Sequence, residues 1–224
     1  SLSRGHWYLD LIQKEENNIV AQCQAAMWAN VYFFLKRKSP IPPEDILKQG
    51  VAVKLKVNVD FHERYGLKLI IEDIDSSFTM GQLEMQRQAI LKAIQERGLI
   101  RKNAETHLPV VVQRLAVISS DRAAGYKDFI KHLEDNFYGY DIRIDLFEAA
   151  MQGQQVENEI SACLDKVEKT MSDYDAVAII RGGGGRTDLA AFDNLNLAVR
   201  IARFPIPVLI GIGHEIDQSV LDLV

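Results

Sequence analysis

Apolar and polar positions change rhythm partway along this chain. Up to about residue 79 the two kinds alternate, as in strands with one buried face. The stretch GHWYLDLI is apolar and aromatic-rich, and NNIVAQCQAAMW puts Ile19, Ala21, Cys23, Ala25 and Met27 on one face. VAVKLKVNVDF alternates most cleanly: Val51, Val53, Leu55, Val57, Val59 and Phe61 point one way, with Lys54, Lys56 and Asn58 opposite. HERYG supplies a turn, and LKLIIEDI returns with Leu67, Leu69 and Ile71 inward. Four strands, two of them a hairpin, are expected. Between the second and third lies NVYFFLKRKSPIPPED, whose first part suits a short helix and whose proline-rich end suits a loop.

Residues 80–97 have helical spacing, with Leu83, Ile90, Leu91 and Ile94 on one stripe and Gly98 as the C-cap. GLIRKNAETHLP follows as a connection, so 80–103 reads as a helical linker. From residue 114 strands and helices take turns. RLAVIS, YDIRIDLFEA, YDAVAIIR and IPVLIGIG are the strands. Residues 122–136, QQVENEISACLDKVEKTM and TDLAAFDNLNLAVRIAR are helical, and DQSVLDLV begins another helix, with Asp121 as N-cap of the first. Short strands joined by helices predict right-handed crossovers and a parallel sheet. Ligands gather beyond the carboxyl ends of such strands, here 119–121, 149–153, 181–186 and 211–217.

The 224 residues leave room for two modest domains. No apolar run approaches the ~20 residues of a membrane helix; FPIPVLIGIG comes nearest and carries two prolines. No signal-peptide pattern is visible, no membrane association is expected, and a cytoplasmic location is. Cys23 and Cys163 sit in apolar-periodic segments and read as buried free thiols, with neither a disulfide framework nor a cysteine metal site suggested. The net charge of −5 argues against a strongly basic nucleic-acid binder, but it is uneven. Residues 1–109 hold 15 Lys and Arg against 13 Asp and Glu, and residues 110–224 hold 11 against 18. The first region is the less repellent to phosphate.

The sheet edge carries the candidate chemistry. RGGGGRTDLAAF puts Gly182, Gly183, Gly184 and Gly185 after a strand and before a helix. Successive N–H groups there, with a helix N-terminus, form an anion nest, and Arg181 adds a fork suited to phosphate. A tight turn without a ligand is the alternative. No Gly-Lys-Ser/Thr follows, so the run is no P-loop, and Thr187 spoils a dinucleotide fingerprint. In GIGHEID, His214 emerges at a strand end with Asp217 three residues on. A carboxylate that holds one imidazole nitrogen frees the other for proton transfer; helix capping is the competing reading, and Glu215 is less clear. In ISSDRAAGYKD, Asp128 could reach the same cleft or be a solvated helix carboxylate.

ISSDRAAGYKD, MQG, RGGGGRTDLAAF and IPVLIGIGHEIDQSVLD resemble, in order and spacing, the motifs of the large subunit of bacterial exonuclease VII. The resemblance covers essentially the whole chain. It implies an N-terminal OB fold, with GHWYLDL as its aromatic strand, over residues 1–79, and an α/β catalytic domain over 104–224. It implies hydrolysis of single-stranded DNA from its ends to oligonucleotides by a large subunit joined to several small ones. The family's catalytic residues match Asp128, Arg181, His214 and Asp217. Gly185 stands where the family has serine, Thr187 where it has glutamate, and Ala123 where it has glycine. An OB fold has five strands, so the first is expected to be missing. The region that binds small subunits is expected beyond this sequence.

In the OB fold, His6, Trp7 and Tyr8 are stacking candidates, and Arg4, Lys54, Lys56 and Lys68 are backbone candidates. Ordinary core or solvated surface is the alternative for each. No cofactor is expected and no metal site is assigned, although Asp128, His214 and Asp217 leave a divalent ion such as Mg2+ open. A non-catalytic module for single-stranded DNA or a phosphate ligand is the alternative function.

Overall fold

The structure is a computed structural model. It describes residues 2–3, 5–15, 18–39, 41–64, 66–137, 139–183, 185–213 and 219–224, with the backbone alone for Leu2, Ser3, Lys14 and Arg186. The chain forms two compact units, Ser1–Gln82 and Leu83–Val224.

The first unit is a five-stranded sheet built from β1 (Leu2–Ser3), β2 (His6–Glu15), β3 (Asn18–Met27), β4 (Leu55–His62) and β5 (Gly66–Ile74). Its order is β1-β2-β3-β5-β4. β2 and β3 form an antiparallel hairpin with a bulge between Gln13 and Lys14, and β4 and β5 form another. β3 and β5 join the hairpins in parallel, with Ala25 beside Leu69. This is the Greek-key arrangement expected of an OB-type sheet. The expected count of four strands is corrected to five, because Leu2–Ser3 pairs with His6 and Trp7. Two residues are too short to leave a period in the sequence.

α1 (Ala29–Lys38) and α2 (Pro43–Ile46) connect β3 to β4. α1 lays Leu35, Val31 and Tyr32 against the sheet and ends in Lys36, Arg37 and Lys38, charges that favour a helix C-terminus. The proline-rich stretch is more than a loop, since Pro43 opens α2 at a position where its missing N–H costs nothing. Ala25, Met27, Leu35 and Ile71 form the core, with Trp7, Leu9 and Leu69 packed on it. The expected inward face holds only near that core. Val51 and Val53 precede the strand, while Ile19, Val59, Phe61 and Leu67 are 54–72% exposed. No described residue packs over that end of the sheet deeply enough to bury it.

The second unit is a four-stranded, wholly parallel sheet of β6 (Arg114–Ser119), β7 (Arg143–Glu148), β8 (Ala176–Arg181) and β9 (Val208–Ile212) in the order β7-β6-β8-β9. The central strands read as unbroken apolar runs because both faces are covered. α5 (Val156–Lys169) and α7 (Leu195–Ala202) cover one face through Ile160, Leu164, Leu197 and Ile201. α4 (Ala124–Glu134) covers the other through Tyr126 and Phe129. From β6 the chain moves outward to β7, then crosses back past β6 to β8. The strand order therefore reverses between β6 and β8, where open α/β sheets form their ligand crevice.

Several expected boundaries shift. α3 (Ser76–Glu96) ends at Gly98, whose φ of +63° serves the expected C-cap. Asp75 accepts from Phe78 N at the start of α3. The break between units falls inside this helix, and residues 80–103 do more than connect. Ile90, Ile94 and Leu99 enter the second core, and buried Asn103 donates to the carbonyls of Phe204 and Ile206 and accepts from Val208 N. Ala123, not Asp121, is the N-cap of α4. The helix expected over 187–203 is broken into α6 (Arg186–Leu189), a 3-10 turn (Ala190–Phe192) and α7. Asn194 causes the break by capping α7, its side chain accepting from Leu197 N at 3.0 Å. The expected last helix is a 3-10 turn, Val220–Leu223, closed by a Ser219–Asp222 capping box. Cys163 is buried as expected, whereas Cys23 is half-exposed.

Candidate functional site

In the second unit, Ser119 and Arg181 stand where β6 and β8 end. Ser119, fully buried, donates its hydroxyl to Ile180 O at 2.6 Å, and its own carbonyl accepts from Ala149 N. One residue thus ties β6 to β8 through its side chain and to the exit of β7 through its backbone carbonyl. A buried hydroxyl needs such a partner, so the lock is also the cheapest way to place a serine there.

Arg181 is the last residue of β8 and is only 6% exposed. Its Nη2 lies 3.5 Å from Asp188 Oδ2, and its guanidinium carbon is 5.8 Å from the centroid of the buried Phe192 ring. A buried arginine must be paired, and an ion pair with an aromatic face holds its plane in one orientation. The carboxylate at Arg181 is Asp188. Asp188 is itself held by its N–H donating to Gly185 O at 2.9 Å. Thr187, in the family's glutamate position, is buried.

The glycine run has a cause that sequence reading did not foresee. A Cβ on Gly182 would stand 2.8 Å from Gly125 N, and a Cβ on Gly125 would stand 2.5 Å from Gly182 N and 2.6 Å from Gly182 Cα. Neither glycine has a positive φ, so space, not backbone conformation, demands them. At Gly182 the side chain is excluded by the backbone of α4. Gly183 is exposed and Gly185 half-buried, both open to the phosphate role expected of them. Gly184, His214, Glu215 and Asp217 lie outside the described residues. Asp128 is exposed on α4, and its carbonyl oxygen bonds His132 Nδ1 at 2.7 Å.

β9 ends beside β8, with Ile212 opposite Arg181, and Gly213 turns the chain at a φ of +82°. The chain is pinned again at Val220, whose N–H donates to Asp193 Oδ1 at 2.8 Å. Burial pushes the Asp193 carboxyl above the usual range; the Val220 bond and Arg87, 3.9 Å away, oppose that, while Glu84 and Asp222 add to it.

In the first unit, alternation along β2 splits the three expected stacking residues. Trp7 faces the core and lies against Tyr32, ring centroids 5.7 Å apart. Its indole is engaged with the core and with Tyr32. His6 accepts from Ala29 N and meets Trp28 edge to face at 5.2 Å. Tyr8 and Trp28 are both over a third exposed, and Lys68 Nζ stands 4.8 Å from the first ring and 5.8 Å from the second. Lys54 pairs with Asp75 at 3.1 Å and Lys56 with Glu72 at 3.2 Å, so neither charge is unshared. The hydroxyl of Ser77, then Lys54, hold the pKa of the Asp75 carboxyl down to about 2. Arg4 lies outside the described residues. Trp28 was missed, although the period that sends Met27 inward sends Trp28 outward.

An aromatic and basic sheet face in one unit, and a buried arginine before a glycine run at a parallel sheet's switch point in the other, define the class: an OB-fold module followed by a parallel α/β module. The model of the exonuclease VII large subunit matches residues 99–224, and that of the OB-fold nucleic acid binding domain matches residues 1–75. The chain belongs to the exonuclease VII large subunit family. It is 31% identical over 227 residues to the exodeoxyribonuclease 7 large subunit of Deinococcus radiodurans, covering 98% of this chain and 55% of that protein. It is 30% identical over 220 residues to the corresponding protein of Campylobacter hominis, covering 98% and 52%, and 31% identical over 223 residues to that of Hahella chejuensis, covering 99% and 46%. The chain thus spans about half the length of the curated relatives it matches. The expected OB fold and parallel α/β fold are both borne out. Among the described residues no helix is long and apolar enough to cross a membrane.

Proposed function

We propose that the full-length protein hydrolyses phosphodiester bonds of single-stranded DNA from its ends, releasing oligonucleotides, and does so with several copies of a small subunit in the cytoplasm. The observation that carries this reading is the buried Arg181 leading into the glycine run at the switch point of an α/β unit whose family is shown. The Deinococcus radiodurans relative's name, exodeoxyribonuclease 7 large subunit, supplies the reaction class.

In this mechanism the amides of Gly182–185 take the phosphate, and Arg181, oriented by Asp188, stabilises the charge that builds on its oxygens. His214 moves the proton and Asp217 orients the imidazole. Asp128 positions the attacking water. The OB unit holds the strand on Tyr8, Trp28 and Lys68, with His6 buttressing Trp28, and with Lys54 and Lys56 tracking phosphates by exchange of their carboxylate partners. No cofactor is required by these roles. A divalent ion on Asp128, His214 and Asp217 would instead activate the water, and both forms use the same residues.

The test is to incubate the full-length protein and its small subunit with end-labelled single-stranded DNA in excess chelator. Release of short labelled oligonucleotides is expected, with duplex DNA left intact. Binding of the single strand without any cleavage, in chelator or in added Mg2+, would leave only a binding module.

A further inference from the structure

The basic end of α1, LKRK at 35–38, has no part in the roles described above. Lys38 stands there between two partners. Its Nζ lies 5.7 Å from the centroid of the Phe34 ring, one helical turn earlier, and 3.1 Å from Asp73 Oδ2 near the end of β5. Phe34 is 55% exposed, and the side chains of Lys38 and Asp73 are 55% and 41% exposed, so all three meet solvent. Lys38 and Asp73 line a cavity of about 450 Å³ between α1, β4, β5 and the start of α3, with Leu35, Leu55 and Ile74 as its apolar lining. Apolar walls with a few placed polar groups suit a small planar ligand.

The two aspartates of the cavity differ. Asp75 is occupied, pairing with Lys54 and accepting from the Ser77 hydroxyl and Phe78 N at the start of α3. Asp73 accepts from Ile74 N and Lys38, and a carboxylate has about four lone-pair sites, so it has capacity to spare. An exposed ion pair of this kind is weak enough to open to a ligand. A carboxylate beside an ammonium suits a neutral group that both donates and accepts, and the unpaired edge of a base in a single strand is such a group. Guanine alone among the DNA bases sets two N–H donors in a row beside a carbonyl, and lysine donates readily to its O6 and N7. The site also faces the right way. Lys56 pairs with Asp73 and Asp60 with Lys68, an even step along β4, and the bulge at Lys56–Val57 absorbs the odd step along β5. A strand crossing the Lys68 face can therefore reach Asp73. We propose that Phe34, Lys38 and Asp73 form a second base-binding site, distinct from Tyr8 and Trp28, that takes a guanine of the single strand: the base stacks on Phe34, Lys38 donates to O6, and Asp73 accepts from N1–H and N2–H. This rests on the proposed binding of single-stranded DNA by the first unit.

The experiment measures the affinity of the full-length protein with its small subunit for two strands, at fixed salt. One is plain oligothymidylate and the other is the same strand carrying isolated guanines, both phosphorothioate-linked so that they resist hydrolysis. The guanine strand should bind about fivefold more tightly, the low end for one base contact because the pair is exposed. Asp73→Ala should erase that difference and leave the affinity for thymidylate nearly unchanged. A plain counter-ion role predicts otherwise: losing the carboxylate would strengthen both strands alike and keep the difference, which would overturn the proposal. Phe34→Ala should weaken the guanine strand by about tenfold, the loss of one stack; unchanged binding there would overturn it as well. Trp28→Ala should weaken both strands and preserve the difference, and if it abolishes the difference instead, guanine is read at the other site and the proposal falls. Equal affinity of the wild type for the two strands would remove this site alone, with single-strand binding intact. Failure to bind either strand would remove the reading beneath it, and the proposal with it.

Discussion

Trp7 and Trp28 show how two residues of one kind take opposite duties from a period of two. Trp7 pairs across the hairpin with Met27, which is fully buried, so both face the core. Trp28 follows Met27 and falls on the other side, beside Tyr8 and under Lys68. Trp28→Ala should therefore weaken binding of single-stranded DNA by ~1–3 kcal/mol, the loss of one stack, with little change in Tm. Trp7→Ala should lower Tm first. A fluorescence titration with oligothymidylate beside a melting curve separates the two, and unchanged affinity in Trp28→Ala would move the binding face elsewhere. Alternation made this legible in principle, because it sorts residues by face. The glycine run was legible only in part. Its position after a strand pointed to the sheet edge, but composition alone cannot say whether a glycine makes room for a ligand or for another backbone. The other backbone belongs to Gly125, 57 residues earlier in the chain.

At the scale of elements, the sequence marked the four parallel strands well, since each is a short apolar run bounded by polar turns. It missed the break in 187–203 because the apolar spacing continues through Asp193 and Asn194 while their side chains turn to other work. Asn194 caps α7, and Asp193 holds Val220. A partner 27 residues away leaves no local signal. Asp193 carries a prediction. Its folded carboxyl titrates above the ordinary value of 3.8, chiefly through burial. Between those two values the folded protein binds more protons than the unfolded one, so stability falls as pH rises through that window and stays lower above it. Asp193→Asn keeps an acceptor for Val220 N and removes the buried charge. The variant should melt higher than wild type at neutral pH, and the gap should close as pH drops to about 4. A variant that melts lower at neutral pH would mean that the Arg87 pair outweighs the burial of the carboxylate.

At the scale of the molecule, the order β7-β6-β8-β9 explains why residues far apart in sequence serve one site. The strand order reverses between β6 and β8, Ser119 ties the ends of these two strands, and Arg181 leads from β8 into Gly182 there. The charge difference between the chain's halves fits this division: the first half is free to meet a polyanion, and the second relies on local donors. The central claim is that the OB unit holds the strand while the α/β unit breaks it by a proton transfer at His214. The most direct measurement is single-turnover cleavage of end-labelled single-stranded DNA by the full-length protein and its small subunit, comparing wild type with His214→Ala at saturating enzyme, with the affinity measured alongside. The account predicts a rate lower by roughly 10²–10⁴-fold and an affinity nearly unchanged. A His214→Ala protein that cleaves at the wild-type rate would contradict it.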